Sequence, residues 1–62
     1  MSDFWIIVHA EAKAVGGRVA INTRHIMSVR EKADSRFAII DFDDGTTLVT
    51  EESFDEIGAM IR

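Results

Sequence analysis

The stretch RFAIIDFDDGTTLVTEE, residues 36–52, decides the fold of this chain. Asp44 and Gly45 separate two alternating runs that are rich in β-branched residues. An Asp-Gly pair readily adopts the positive φ angles of a two-residue type I′ hairpin turn. The sequence therefore predicts two antiparallel strands, at about residues 37–43 and 46–50.

The segment that follows this hairpin has the pattern of a short amphipathic helix. Ser53 and Glu56 have the spacing of a capping box, in which each side chain accepts a hydrogen bond from the backbone amide of the other residue. Phe54, Ile57 and Ile61 recur at i, i+3 and i+7, which places them in one apolar stripe. We therefore expect a C-terminal helix that packs this stripe on the sheet.

Three further strands are predicted in the first half of the chain. The segment FWIIVHAEA, residues 4–12, opens with β-branched and aromatic side chains. Gly16 and Gly17 separate it from RVAIN at residues 18–22, which predicts an antiparallel hairpin. HIMSVREK, residues 25–32, predicts the third strand. Simple alternation along this strand places Ile26 and Val29 on opposite faces.

Together these elements predict an α+β protein that is mainly β. We expect one small domain over residues 1–62, with an antiparallel meander of four to five strands and one C-terminal helix. The first strand is apolar on both faces, with Phe4 and Ile6 on one and Trp5 and Ile7 on the other. One helix covers one face, so the sheet either closes into a small barrel or meets a second subunit. We expect a homo-oligomer, a dimer or higher, with Phe4, Trp5 and Ile7 at the interface.

The composition excludes several kinds of site. There is no cysteine, which excludes disulfides and thiolate metal ligands. His9 and His25 have no neighbours at zinc-site spacing, so no metal or cofactor is expected. The longest apolar run, residues 4–8, is far shorter than the ~20 residues of a membrane-spanning helix. We expect a cytoplasmic protein without membrane insertion.

Charge is distributed unevenly along this chain, whose net charge is −4. Residues 1–40 carry six basic and four acidic side chains, whereas residues 41–62 carry seven acidic and one basic. Nucleic-acid backbones bind concentrated basic surfaces, so direct nucleic-acid binding is not expected. The acidic side chains form either a solvated edge or a face that docks on a basic partner. The candidate acidic face comprises Asp41, Asp43, Asp44, Glu51 and Glu52.

The stretch INTRHIMSVRE, residues 21–31, places cationic and imidazole groups among apolar residues. Its isoleucines are expected in the core, whereas Arg24, His25 and Arg30 are not needed there. These three side chains are either solvated or form an edge that binds an anion or a partner, because they are close in the sequence.

No catalytic motif is present in the sequence. The serines lack the G-x-S-x-G elbow of a hydrolase nucleophile. The segment DFDDG, residues 41–45, lacks the ligand order and the distal glutamate of a calcium loop. Because no nucleophile, base and metal set is assembled in a chain with room for one core, we expect a protein that is not an enzyme.

The segments INTRHIMSVRE and AIIDFDDGTTLVTEESFDEI, residues 21–31 and 38–57, resemble the short flagellar and swarming-motility family known as FlbD or SwrD. Similar small uncharacterised proteins occur in bacteria and their prophages. The resemblance implies the fold described above and a motility-related role. The matching positions are Gly17, Ile21, Asn22, Ile26, Val29, Gly45, Val49, Glu52, Ser53, Glu56 and Ile57.

Two functions follow from these observations. The first is a small protein-interaction or regulatory module that acts as a homo-oligomer and, by the resemblance, has a role in motility. The alternative is a prophage-type inhibitor. Such a protein either occupies a host nucleic-acid-binding protein through its acidic face or sequesters an anionic nucleotide at the cationic edge.

Overall fold

The computed structural model of this protein describes residues 4–11 and 17–61. The predicted mainly β architecture with a C-terminal helix is confirmed. Within these residues there is no helix with the length and apolar character needed to cross a membrane. The elements are β1 (Trp5–His9), β2 (Arg18–Asn22), a 3₁₀ turn (Thr23–His25), β3 (Ile26–Glu31), β4 (Ala38–Phe42), β5 (Thr47–Thr50) and α1 (Phe54–Ile61).

The strands form two antiparallel sheets, β1-β2 and β3-β4-β5. The sheets meet where β1 ends, through a single bridge between Ala10 and Thr50. On either side of this bridge the Glu11 amide donates to the Val49 carbonyl at 2.8 Å, and the Glu51 amide donates to a carbonyl of β1 at 2.7 Å. The described strands do not close into a barrel, so the barrel alternative is not adopted.

The core lies between the two sheets and α1. Ile57 is the fully buried residue of α1, and the helix lies against β3 and β4. The other two members of the predicted helical stripe, Phe54 and Ile61, are exposed, so the helix covers the core with a narrower face than expected. The buried cluster consists of Val8, Ile21, Ala38, Ile40 and Ile57.

A β-bulge in β3 corrects the alternation predicted for this strand. Ile26 pairs with Phe42 and Ser28 pairs with Asp41, so the register shifts between these positions. An extra residue in one strand reverses the sides to which the following side chains point. Ile26 and Val29 therefore both pack against the core, and their predicted placement on opposite faces is wrong.

The hairpin between β4 and β5 forms where predicted, but the type of its turn is not the predicted one. Gly45 has a φ of +92°, whereas Asp44 is not among the residues of positive φ. The Gly45 amide donates to the Phe42 carbonyl at 3.1 Å, and the Phe42 amide donates to the Thr46 carbonyl at 2.9 Å. These bonds enclose three residues, which matches the hairpin class in which a type I turn precedes a glycine of positive φ. The predicted two-residue type I′ turn is therefore wrong.

The first hairpin and the helix cap follow the sequence pattern. β1 and β2 pair antiparallel, with Ile7 opposite Ala20, whereas Gly16 lies outside the described residues. The capping box is confirmed, because the Glu56 amide donates to the Ser53 hydroxyl at 3.1 Å and the Ser53 amide donates to the Glu56 carboxylate at 2.8 Å. The helix is thereby fixed at its first turn, directly after β5.

Candidate interaction surfaces

The outer face of the β1–β2 hairpin exposes two large apolar side chains. Trp5 is 62% exposed and Ile7 is 50% exposed, whereas Val8, on the inner face, is fully buried. Trp5 and Ile7 point to the same side because they are two residues apart in one strand. Their cross-strand partners are Asn22 and Ala20, which are too small to cover an indole or an isoleucine side chain. We refer to Trp5 and Ile7 as the outer apolar face.

Phe4, the third predicted interface residue, belongs to a different surface. It lines an open groove of about 630 Å³ that runs between β3 and α1. Met27 is 69% exposed at this groove, and it is the extra residue of the bulge in β3. We refer to this surface as the β3–α1 groove. Its lining includes Phe4, Arg24, Met27, Phe54, Gly58 and Ile61.

Arg30, one member of the predicted cationic edge, is paired with a carboxylate of the predicted acidic face. Its Nε and one terminal nitrogen donate to the two carboxylate oxygens of Asp41, at 2.9 and 3.1 Å. The Ser28 hydroxyl donates to the same carboxylate at 2.8 Å. Hydrogen bonds from Arg30 and then from Ser28 hold the pKa of Asp41 below its ordinary value. The same pairing raises the pKa of Arg30.

His25 and Arg24 also make separate contacts. Nδ1 of His25 lies 3.1 Å from a carboxylate oxygen of Asp43, in the loop between β4 and β5. The Arg24 guanidinium lies over the Phe4 ring, 4.8 Å from its centroid, in a cation–π contact. The three residues of the predicted edge therefore do not present three unpaired positive groups together.

The five residues of the predicted acidic face are also divided among different contacts. Asp41 and Asp43 pair with the cationic edge, so the two predicted surfaces are in fact interleaved. Asp44 accepts hydrogen bonds from the Thr46 hydroxyl and amide at 2.6 and 2.9 Å, which lower its pKa and stabilise the hairpin loop. Glu51 is exposed. Most of these carboxylates therefore serve local structure.

His9 and Glu52 form a contact that the sequence pattern did not predict. The Glu52 carboxylate lies 2.6 Å from Nδ1 of His9 and accepts a hydrogen bond from the His9 amide at 2.8 Å. Burial raises the pKa of Glu52, but these hydrogen bonds from His9 outweigh it, and the pKa lies below its ordinary value. The contact joins β1 to the segment after β5 beside the bridge between the sheets. The two residues are 43 positions apart, and no local pattern pairs them.

A second, smaller cavity of about 400 Å³ lies beside the β4–β5 loop and includes His25, Asp43 and Asp44 in its lining. In the described part of the chain, no three histidine or carboxylate groups are arranged to hold a metal ion. The polar groups of this cavity are already paired with each other or with the loop backbone. Among the described residues, the outer apolar face and the β3–α1 groove therefore carry most of the exposed large apolar side chains.

Comparison of this chain with protein-family models, with curated proteins and with solved structures found no match. The resemblance to the FlbD and SwrD family therefore stays a prediction.

Proposed function

We propose that this protein is a small, non-enzymatic interaction module that self-associates through its outer apolar face. The observation that carries the proposal is the exposure of Trp5 and Ile7, 62% and 50%, side by side on one strand. Tryptophan is enriched where protein surfaces bind each other, because a large apolar ring is buried with little loss of conformational freedom. An exposed pair of this kind is typical of an interface between subunits.

The area of this face is consistent with a reversible assembly. Burying both side chains removes roughly 200–300 Å² of apolar surface per chain, which stabilises the complex by about 5–8 kcal/mol per chain. Association costs an estimated 4–15 kcal/mol in lost translational and rotational freedom. Because two chains contribute to the interface, the gain and the cost are of similar size, and we expect a weak dimer whose population depends on concentration.

The pairing of charges counts against the inhibitor alternative. Arg30 is bound to Asp41, and His25 is bound to Asp43. An anionic nucleotide at this edge would have to displace two carboxylates, and a basic partner would have to displace an arginine and a histidine. Each exchange replaces contacts already made within the chain, so the net gain is small.

The organism and pathway are proposals that rest on the sequence resemblance. We propose a cytoplasmic protein of bacterial or phage origin with a motility-related role. The neighbouring genes test this part: flagellar genes beside this one support it, and phage structural or lysogeny genes support the inhibitor alternative. This test is independent of the assembly test below.

The assembly is tested by sedimentation equilibrium across a wide range of protein concentration. The expected result is a dimer at high concentration for the wild-type chain and for Met27→Glu, which adds a charge at the equally exposed β3–α1 groove. Trp5→Asp is expected to remain monomeric at every concentration. Ile7→Thr, a milder change on the same face, is expected to weaken the dimer without unfolding it. A wild-type chain that is monomeric up to millimolar concentration would overturn the proposal.

A further inference from the structure

The β3–α1 groove follows the free edge of a strand. Residues 26–29, four consecutive residues of β3, all line the groove. Ile26 and Val29 pack against the core, whereas the two residues between them are exposed. A groove that reaches all four therefore runs along the edge of the strand and not over one face. β3 pairs with β4 on one side, and in the described part of the chain no strand lies on its other side. Unpaired backbone amides and carbonyls are therefore available along this edge.

The opposite wall of the groove is apolar and has room at its base. Phe54 and Ile61 on α1 are exposed there, and Met27 on β3 faces them across the opening. Gly58 lies between the two α1 residues, and a Cβ at this position would meet no atom within 4 Å. Methionine side chains adapt to differently shaped partners, so this wall suits apolar side chains of more than one size.

The groove is positive in a chain that is acidic overall. Among the described residues that line it, none is acidic and Arg24 is the only charged one. Among the described residues, no carboxylate lies within ion-pair distance of the Arg24 guanidinium, whose contact is with the Phe4 ring. A carboxylate on a bound molecule could therefore pair with Arg24 without displacing another carboxylate.

We infer that the β3–α1 groove binds an extended, apolar and acidic peptide segment of another protein, which adds as a strand to the free edge of β3. In this mode the main-chain hydrogen bonds supply affinity, while alternate side chains enter the groove and supply specificity. The apolar side chains of the peptide pack on the apolar wall, and an aspartate or glutamate of the peptide pairs with Arg24. The inference rests on the proposed function in one respect, that the chain is a protein-binding module. The β3–α1 groove is a different surface from the outer apolar face.

A second copy of this chain is the competing occupant, and its β3 strand carries one carboxylate, that of Glu31 at the end of the strand. Residues 26–29, the apolar part of that strand, contain no carboxylate that could pair with Arg24. Arg30 is bound to Asp41 within its own chain. Glu31 at the far end of the strand is therefore the one group of β3 that could pair with Arg24, and it approaches Arg24 only when two β3 strands pair antiparallel. An acidic strand of another protein can place a carboxylate opposite Arg24 in either orientation, so charge complementarity favours it, and self-pairing along β3 is an outcome that the sedimentation comparison identifies.

The first test measures the charge preference with defined peptides by fluorescence anisotropy at low salt. Each probe is a ten-residue labelled peptide in which valine alternates with threonine. One set replaces each threonine in turn by glutamate, and a matched set replaces it by lysine, so that no binding register is assumed. We expect at least one glutamate peptide to bind ten-fold or more tightly than its lysine counterpart. Absence of binding, or equal binding of both sets, would overturn the inference.

Charge reversal in the protein identifies the side chain that determines the charge preference for the peptide. Arg24→Glu is expected to reverse the preference to the lysine peptide, and Arg24→Gln to abolish the preference. Arg36→Glu makes the same change of charge at an exposed arginine between β3 and β4, outside the groove, and is expected to keep the wild-type preference. Arg24 is exposed, so circular dichroism should show the same fold for all three variants. A preference that survives in both Arg24 variants would contradict the inference.

Backbone methylation tests whether the peptide adds as a strand. N-methylation of one alternate set of peptide amides, those facing β3, is expected to abolish binding, whereas methylation of the other set is expected to leave it within about threefold. Tolerance of both sets would exclude strand addition. If Met27→Glu dissociates the wild-type dimer in sedimentation while Trp5→Asp does not, the groove holds a second copy and the peptide inference fails. A monomeric wild-type chain that still binds the glutamate peptide overturns only the proposed self-association.

Discussion

Gly45 occupies a backbone conformation that few other residues adopt. Its φ is +92°, and a Cβ built at this position meets no atom within 4 Å. Gly45→Val is therefore expected to strain the backbone alone, at a cost of about 1 kcal/mol or more, because a β-branched residue resists positive φ. The measurement is the free energy of unfolding from urea denaturation.

The control at this position is Gly45→Asn, which is expected to cost less, because asparagine tolerates the left-handed region. Calcium at micromolar concentration is expected to leave the melting temperature unchanged, since Asp44 already caps the loop through Thr46. Equal stability of the valine variant and the wild type, or a calcium-dependent rise in melting temperature, would contradict this account of the loop.

Gly58, unlike Gly45, lies inside α1 in a backbone conformation that does not require glycine. Its φ is not positive, and a Cβ would enter open space at the base of the β3–α1 groove. Gly58→Ala is expected to stabilise the protein by about 0.5–1 kcal/mol through helix propensity. The same variant should weaken binding of the glutamate peptide, because the added methyl group fills part of the groove. A loss of stability in denaturant would show that the helix packs more tightly than described.

At the scale of elements, the His9–Glu52 contact ties β1 to the chain beyond β5, and its strength should depend on pH. The Glu52 pKa is lowered in the folded state, so its contribution is present above the ordinary glutamate pKa and is lost as pH falls through the folded value. Glu52→Gln is expected to cost about 1–2 kcal/mol at neutral pH, in the range of hydrogen bonds to charged groups. The difference from wild type should shrink in acid.

The matched control is Glu11→Gln, which changes an exposed carboxylate close to the same junction. Its cost is expected to be within about 0.5 kcal/mol at neutral pH. Urea denaturation of the three proteins from neutral to acidic pH provides the comparison. A Glu52→Gln difference that grows in acid would contradict the sign of the assigned pKa change.

The elements follow local patterns in the sequence, whereas their departures from regularity depend on distant contacts. Ser53 and Glu56 identify the helix start, and Gly45 identifies a hairpin, because caps and turns are chosen by a few adjacent residues. The bulge in β3 is different: Ile26 and Val29 must both reach a core that β1 and α1 help to form. Simple alternation places one of them in solvent, and only the tertiary burial explains the extra residue.

The candidate surfaces were predictable to a lesser extent than the fold. Trp5 and Ile7 were identified because a strand apolar on both faces must leave one face uncovered. Sequence proximity groups Arg30 with His25 and Asp41 with Asp43. Cross-strand pairing instead joins Arg30 to Asp41 and His25 to Asp43, and no local pattern predicts it. The β3–α1 groove was not predicted at all, since it is formed by a strand edge and a helix far apart in the chain.

At the scale of the whole molecule, folding and assembly should be linked through the outer apolar face. A partner that binds only the folded state stabilises it by mass action, so the melting temperature of a dimer falls on dilution. A roughly hundredfold dilution is expected to lower it by several degrees, since ~1 kcal/mol corresponds to ~4–8 °C in a domain of this size. Differential scanning fluorimetry of the wild type and Ile7→Thr provides the test. A wild-type melting temperature that does not change with concentration would contradict the linkage.

The narrow junction between the two sheets has a consequence for how the molecule opens. In the described residues, the bridge between Ala10 and Thr50 and the neighbouring backbone bonds continue the ladder from one sheet to the other. The His9–Glu52 contact lies beside this bridge, and the rest of the hairpin is held by side-chain packing of Val8 and Ile21. Packing of this kind is not directional, so the β1–β2 hairpin should detach as one cooperative unit while the other sheet stays folded. Amide hydrogen exchange should then show Val8 and Ile21 exchanging at a common rate, faster than Ile40. A uniform rate in both sheets would mean that the molecule opens only by global unfolding.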